Sequence, residues 1–457
     1  MATSNVLKRM GGAIERVVGA EVHEGEWHVV LLFFANLFLL LTAYYILKVI
    51  REPLILLGGG AVSRSYARGV QAGLLAVIIP VYGLIANRFE PDRLVKWVMG
   101  AFVVCLLVFA GLGMLHVAMG FVFFVWLGIF STLAVAQFWS LAVDLMTEAQ
   151  GRRLFPMIAS GGTVGGIVGA QIAARAMTIL QLYQLMLVAA AALAICIFLT
   201  HASHGAGLRH RERTGKEALS ADRDSRGGFT LVVRDRYLLL IGLSVFVLNL
   251  INTNGDFILA RLVHLRAEAL AAPDRQRFIG TFYGDFQTYV SVLTAVAQIV
   301  VVGRVFKWVG VAGALFCMPV IAVTGYGASA LVPALTLVAT VRVIENSTDY
   351  SLQNTIQQAL FLPTSRDAKY KAKSAIDTLS VRLGDLASAA LVFIGLRAGM
   401  STLGFAMANV IAAVVWIGLV IGLRRQPLTQ AADGIGLADD AAHDLAVALA
   451  DTEGTTR

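Results

Sequence analysis

Residues 182–200 read LYQLMLVAAAALAICIFLT, nineteen positions without a formal charge. A bilayer core takes about 20 apolar residues of helix. Inside it, every backbone N–H and C=O must be bonded within the segment itself. A surface helix of a soluble domain would show a polar face at 3.6-residue spacing, and this stretch has none. It reads as a membrane-spanning helix.

Working outward, twelve stretches of this kind can be marked, at 27–47, 66–86, 95–115, 120–146, 155–175, 180–200, 237–260, 279–303, 309–330, 334–361, 374–396 and 401–423. Composition agrees: of 457 residues, 58% are hydrophobic and 14% charged, with a mean hydropathy of +0.74. Soluble domains carry about 25% charged residues. A soluble enzyme, a nucleic-acid binder and a disordered chain are excluded. The expected fold is an all-α polytopic membrane protein of about twelve transmembrane helices, whose first partner is the lipid bilayer.

The net charge of +8 belongs to the loops. Arg88, Arg93 and Lys96 follow the second span, Arg152 and Arg153 the fourth, and eight Lys or Arg stand in 201–236. Arg304 and Lys307 follow the eighth span, Arg366, Lys369, Lys371 and Lys373 the tenth, and Arg424 and Arg425 the last. Cytoplasmic loops carry such an excess, so both termini and the central loop are expected inside. The other side is poorer in cations, although 261–277 carries four arginines.

The expected organisation is a cytoplasmic segment at 1–26, a six-helix bundle at 27–200, a basic linker at 201–236, a second six-helix bundle at 237–424 and an acidic tail at 425–457. Paired six-helix halves are the major facilitator plan, with a substrate site between them at the midplane. Residues 1–26 have no apolar core of a cleavable signal peptide; Val6, Leu7, Met10, Ile14 and Val17 would suit an interfacial helix, and a plain polar tail is the alternative.

Charges inside spans are costly, about 2.5–3.5 kcal/mol each at the centre on insertion scales, and mark function by default. The first span ends Tyr45-Ile-Leu-Lys48-Val-Ile-Arg51-Glu52-Pro53, and Lys48 and Glu52 are spaced to pair on one helix face. The fourth span holds Asp144, the seventh Asn249, Asn252, Asn254 and Asp256, and the eighth Tyr283, Asp285 and Gln287. In the tenth, Arg342, Glu345, Asn346, Asp349 and Gln353 recur at three- and four-residue spacing, one polar stripe that cannot face lipid. The eleventh adds Asp377, Arg382 and Asp385. These groups either line a wet cavity or form buried structural ion pairs.

Other patterns point elsewhere. The run Gly161-Gly162-Thr-Val-Gly165-Gly166-Ile-Val-Gly169 lacks the preceding strand and the Gly-Lys-Ser/Thr of a phosphate loop; its G-x-x-x-G steps suit close helix packing. His201 and His204 read as solvated loop residues. Cys105, Cys196 and Cys317 have neither metal nor redox spacing and read as buried packing residues. No nucleophile–base arrangement stands out, so neither an enzyme, nor a cofactor, nor a metal, nor a nucleic-acid partner is expected.

Three stretches resemble one family. Phe138-Trp139 through Asp144, Thr147, Arg152, Arg153, Phe155 and Pro156 is similar to the Phe-Trp…Lys-Arg-Phe-Tyr-Pro segment of the non-mitochondrial ATP/ADP translocases, the nucleotide antiporters of plastids and intracellular bacteria. Asp349-Tyr350-Ser351-Leu352 through Pro363, Lys369, Lys371, Lys373, Ala375, Ile376, Asp377 and Arg382-Leu383-Gly384 resembles its Tyr-Ser-Leu-Phe…Lys-Gly-Lys-Ala-Ala-Ile-Asp…Arg-Leu-Gly-Lys block. Tyr45 through Glu52 resembles its Tyr-x-Ile-Leu-Arg-x-x-Lys-Asp. The order is the same, and the resemblance covers 27–424. It implies a major facilitator-like antiporter of nucleotides.

The departures are specific. The family's Asp-Pro-Thr-Lys-Glu is here Asn354-Thr355-Ile356-Gln357-Gln358, its Asn-Gln is Val143-Asp144, and its Lys after Arg-Leu-Gly is Asp385. At 354–358 a cation–anion pair has become two amides, and the three changes together make the expected cavity less positive. A triphosphate carries about four negative charges and needs counter-cations where the dielectric is low. The 29 Arg against 8 Lys, with abundant Ala, suggest a GC-rich bacterial genome.

The expectation is a secondary transporter of a bacterial inner membrane, working by alternating access on an anionic small molecule. Lys48, Arg51, Arg342 and Arg382 would hold its anionic part, and Tyr45, Asn249, Asn252 and Gln353 its uncharged part. Glu52, Asp144, Glu345, Asp349 and Asp377 would hold those cations or carry protons. A proton-coupled facilitator of another solute and a non-transporting membrane binding or assembly protein stay open as alternatives.

Overall fold

The computed structural model describes residues 22–23, 26–86, 91–214, 228–365 and 368–427. Most of the N-terminal segment and residues 428–457 of the acidic tail lie outside the described residues. Those described are helical through most of each of the twelve expected spans, with no strand among them. In order, the helices are α1 (Trp27–Ala86), α2 (Pro91–Met114), α3 (Gly120–Leu145), α4 (Glu148–Ala176), α5 (Leu182–Thr214), α6 (Gly228–Arg234), α7 (Arg236–Glu268) and α8 (Ala272–Val296). They continue with α9 (Val302–Ala314), α10 (Cys317–Leu331), α11 (Leu335–Thr348), α12 (Asn354–Phe361), α13 (Lys373–Ala375), α14 (Val381–Arg397) and α15 (Thr402–Arg424).

Nine stretches among the described residues are long and apolar enough to cross a bilayer, against twelve expected. The difference has three causes. Trp27–Gly83 runs 57 residues and takes in both of the first two expected spans. Its helix breaks at Gly60, which has φ +66°, a left-handed conformation that side chains with a Cβ resist. Cys317–Leu331 is apolar but short. The tenth expected span is too polar to count, because it carries the stripe from Arg342 to Gln353. Large apolar side chains such as Ile195, Phe198, Ile299 and Ile411 are exposed, which lipid tolerates as water does not.

Three expectations are corrected. Residues 201–214 are not loop: they prolong α5, with His201 exposed and His204 half-buried on that helix. Residues 228–234 are also helical. Cys105 is exposed rather than buried, while Cys196 is buried. An apolar side chain on a spanning helix can face lipid as well as core.

The described residues fall into two compact units. One comprises those of 1–59, 77–223 and 267–288; the other those of 60–76, 224–266 and 289–457. Each unit therefore takes one segment from beyond the central linker.

In the first unit an aromatic core stacks Trp126 on Phe130 at 5.6 Å and packs Phe102 edge-on against both. The glycine stripe of α4 lies against α1. A Cβ on Gly161, Gly165 or Gly169 would stand 2.7, 2.2 or 2.4 Å from the carbonyl oxygens of Phe34, Phe38 and Thr42. Only glycine lets the two backbones come this close. Thr42 Oγ1 adds a hydrogen bond to the Gly165 carbonyl at 3.2 Å. Thr147 caps α4 in a reciprocal box with Gln150, and Glu26 ties the start of α1 to it, accepting from Gln150 at 3.0 Å and Arg153 at 3.1 Å. Residues 267–288 join this unit through Gln171, which donates to Thr288 at 2.9 Å, and through Gly284, packed on Ala174.

In the second unit Phe257 meets Phe405 at 4.9 Å. Asn254 donates to Asn409 Oδ1 at 2.7 Å, and Asn409 donates to the Ile251 carbonyl at 3.1 Å. These buried amide hydrogen bonds fix α7 against α15. Segment 60–76 joins this unit through Tyr66 against Phe393 and through Gly69, whose absent Cβ would stand 2.9 Å from the Ala389 methyl.

Candidate functional site

The stripe on α11 has one centre. Arg342 is 1% exposed. Its guanidinium donates to Asp256 at 2.7 Å, Asn252 at 3.2 Å, Tyr326 Oη at 3.3 Å and Asn346 at 3.4 Å, and it binds Glu345 one turn along its own helix. Tyr326 donates to Glu345 at 2.6 Å, and Asn252 donates to Asp349 at 2.9 Å. Asp256 also faces Arg64 at 3.5 Å. The periodicity is the local cause: Arg342, Glu345, Asn346 and Asp349 share a face of one helix, and Asn252 and Asp256 share a face of α7. A buried guanidinium is tolerable only with this degree of compensation. Gly255 makes the space: a Cβ there would sit 1.8 Å from Tyr326 Oη and 3.0 Å from an Arg342 nitrogen.

Beyond Thr348, the chain makes a π-helical turn at Asp349–Gln353. Such turns shift the register of the face they carry and recur at functional sites. Gln353 is buried there. Gln358, exposed on α12, accepts a hydrogen bond from Lys373.

A second cluster surrounds Asp385. It accepts from Thr253 Oγ1 at 2.6 Å and Arg68 Nε at 3.3 Å, and Arg382 Nη1 stands 3.7 Å away. Gly384 beside it lets α14 approach α7, since a Cβ there would lie 2.7 Å from the Asn249 Cβ. Asn249 donates to the Val245 carbonyl of its own helix at 2.9 Å and enters neither cluster. Asp377 is exposed on the π-helical turn Ile376–Ser380 and also enters neither.

In the first unit, Arg51 and Glu52 pair at 2.6 Å, both buried, with the guanidinium 4.1 Å from the Phe124 ring centre. Lys48 is half-buried, its ammonium 5.1 Å from the Tyr45 ring and 6.0 Å from the Tyr44 ring. A cation over an aromatic face is attracted to it. Tyr45 in turn packs on Gly166. Asp144 is half-buried near the end of α3.

Sequence reasoning missed four participants: Arg64, Arg68, Thr253 and Tyr326. Two carried a signal. Arg64 and Arg68 are one turn apart, and Arg68 lies inside the expected second span, where a charge is itself a marker. Tyr326 and Thr253 offered none. An apolar cavity of about 260 Å³ in the second unit, lined by Val232, Leu239, Leu243, Phe246, Leu379 and Leu383 among others, holds none of these charges.

A family model described as TLC ATP/ADP transporter matches residues 114–426. The ADP,ATP carrier protein 1 of Chlamydia pneumoniae is 24% identical over 233 residues, which is 46% of this chain and 43% of that protein, so the match spans under half of that relative. Among solved structures, the nucleoside transporter NupG superposes with a TM-score of 0.63 at 12% identity, over 88% of this chain and 98% of that one. A bacterial homologue of the iron transporter ferroportin, in an inward-facing state, gives 0.62 at 11% identity over 86% and 98%. A POT family transporter in complex with 5-aminolevulinic acid gives 0.60 at 13% over 86% and 94%. At these identities the likeness is one of fold, that of major facilitator-type transporters.

Proposed function

Because the chain belongs to the TLC ATP/ADP transporter family, we propose that it is a secondary transporter that moves a nucleotide or a closely related anion across a bacterial inner membrane by alternating access. The family is one of carriers, not of enzymes. Both termini and the 201–236 linker are cytoplasmic in this reading, from the loop cations.

The observation that carries it is the set of arginines held within membrane-spanning segments of the second unit. Arg64, Arg68, Arg342 and Arg382 stand among the carboxylates of Asp256, Glu345, Asp349 and Asp385. Arginine meets phosphate through a planar fork of donors. Arg342 and Arg382 bind the anionic part of the substrate; in the first unit, Lys48 and Arg51 are the candidates for that role. Since Arg51 and Arg342 already hold carboxylates, they act by exchanging partners. Tyr45, Asn252 and Gln353 contact the uncharged part, with Asn249 a weaker candidate because its amide is spent on its own helix. Glu345 balances Arg342; Asp144 in the first unit is a candidate for the same role, and Asp377, outside both arginine clusters, a weaker one.

The test is counterflow. Proteoliposomes of the purified chain, loaded with unlabelled ADP, should take up labelled ATP, and empty vesicles should not. Absence of uptake, together with a melting temperature that no nucleotide moves, would overturn the reading. A second reading, proton coupling, is favoured by Asp349, whose hydrogen-bond donor is the Asn252 amide rather than a guanidinium. A carboxylate so placed can take up a proton at smaller electrostatic cost than one committed to arginine. Substrate-driven pH change inside unloaded vesicles would identify it.

A further inference from the structure

Two carboxylates of the second unit are each shared by two arginines. Asp256 stands between Arg64 and Arg342, and Asp385 between Arg68 and Arg382. In both cases one arginine comes from segment 60–76, so Arg64 and Arg68 present successive turns of one helix to two successive anions. The clusters differ in how completely the anion fills them. Around Asp256, Arg342 is 1% exposed and spends its fork on several acceptors. Around Asp385, the Arg68 and Arg382 side chains remain 29% and 17% exposed while the carboxylate between them is 4% exposed.

The donors at the Asp385 cluster are underused. Arg68 reaches it only through Nε, at 3.3 Å. Arg382 approaches to 3.7 Å, beyond hydrogen-bonding distance, and its Nε is buried with no partner among the described residues. A carboxylate that truly saturated two guanidiniums would engage each fork bidentately at 2.7–2.9 Å. Here one small anion holds two forks loosely, with Thr253 fixing its position at 2.6 Å. The cluster keeps a surplus positive charge and open donors on its exposed side.

We propose that Asp385 is a specificity-determining residue: it is a resident anion that occupies the Arg68–Arg382 pair and thereby sets how much negative charge a transported anion can bring. This rests on the transporter reading above. A substrate with a single phosphate uses the donors left over. A longer phosphate chain must come close to Asp385 itself, and repulsion in a low-dielectric setting penalises it. The residue selects by charge rather than by shape.

The full-length protein in detergent is titrated with ATP and AMP, and in parallel with pyrophosphate and orthophosphate. Asp385→Asn keeps the size and the Thr253 acceptor while removing one charge. It should raise affinity for ATP relative to AMP by about tenfold, with the same trend for pyrophosphate over orthophosphate. Arg68→Gln should move both ratios the other way, and it tests the idea independently if Asp385→Asn does not fold. The double variant Arg68→Gln/Asp385→Asn should lose the gain. Unchanged ratios in Asp385→Asn, or a gain that persists in the double variant, would overturn the proposal; a merely structural role would weaken all four ligands alike. If the inorganic pair shifts as expected while neither nucleotide binds, the charge-selecting site stands and the nucleotide reading falls.

Discussion

Arg51 and Glu52 are consecutive in the chain and partners in space, their side chains 2.6 Å apart and both buried. Neighbouring helical residues do not normally face each other; here the long arginine lies over the Phe124 ring and still reaches the Glu52 carboxylate. The pair must therefore be disturbed as a pair. Arg51→Ala takes the Arg51 charge away from the buried Glu52 carboxylate and should cost up to about 3–5 kcal/mol, read as a lowered melting temperature in detergent. Arg51→Gln/Glu52→Gln removes both charges and should cost clearly less. If the double variant melts no higher than the single one, the loss of the Arg51 charge beside Glu52 is not the source of the destabilisation. Transport by the double variant then reports on Arg51 separately from folding.

Glu26 lies just outside the first span and supplies a pH-dependent contact. Burial raises its pKa, but hydrogen bonds from Gln150, Arg153 and the His23 amide, with the Arg153 charge, outweigh it and bring it below its ordinary 4.5. Its folded-state pKa is thus depressed. The stability it contributes is fully present above about pH 4.5 and is lost as pH falls through the lower, folded value. Glu26→Gln should lower the melting temperature at neutral pH and change it little in acid, which flattens the acid limb of the profile. An acid limb of unchanged slope would remove Glu26 from it.

The glycine stripe makes a packing prediction with an internal control. Gly165→Ala puts a methyl carbon 2.2 Å from the Phe38 carbonyl oxygen, backbone that cannot turn aside. Overpacking typically costs about 1–3 kcal/mol, and more where nothing yields, so little folded protein should survive extraction. Gly418→Ala, on α15 with nothing within 4 Å, should be neutral or slightly stabilising. Equal behaviour of the two in size-exclusion and melting assays would contradict the close approach of α1 and α4.

Gly255 and Tyr326 should be energetically coupled. Gly255→Ala displaces the Tyr326 hydroxyl from Glu345, and Tyr326→Phe deletes that hydrogen bond outright. Each should cost about 1–3 kcal/mol. Both disturb the same bond, so the double variant should cost less than the sum, by more than about 0.5 kcal/mol. Additive losses would mean that the two residues act independently.

The polar stripe from Arg342 to Asp349 was legible because helical spacing alone puts those residues on one face, and lipid cannot accept that face. The same logic singled out Asn252 and Asp256 in the seventh span. It did not find Tyr326, an amphipathic residue in an apolar stretch, whose hydroxyl matters only because Gly255 admits it. It included Asn249 and Asp377, which are polar and correctly spaced yet enter neither cluster. The histidines at 201 and 204 were misplaced in a loop because the polar, basic sequence after residue 200 hides the continuation of α5. A charged helix end and a charged loop have the same composition.

Sequence alone determined that the chain spans a bilayer many times over and that certain helix faces must turn from lipid, because transfer of apolar and charged groups between water and hydrocarbon is a property of the residues themselves. Only the tertiary structure decided which carboxylate each arginine holds, that Arg64 and Arg68 reach Asp256 and Asp385 across hundreds of positions or nearly so in the chain, and that the long first helix breaks at Gly60. Ion pairing depends on ångström-scale distances between helices, and periodicity names a face without naming the neighbour that covers it.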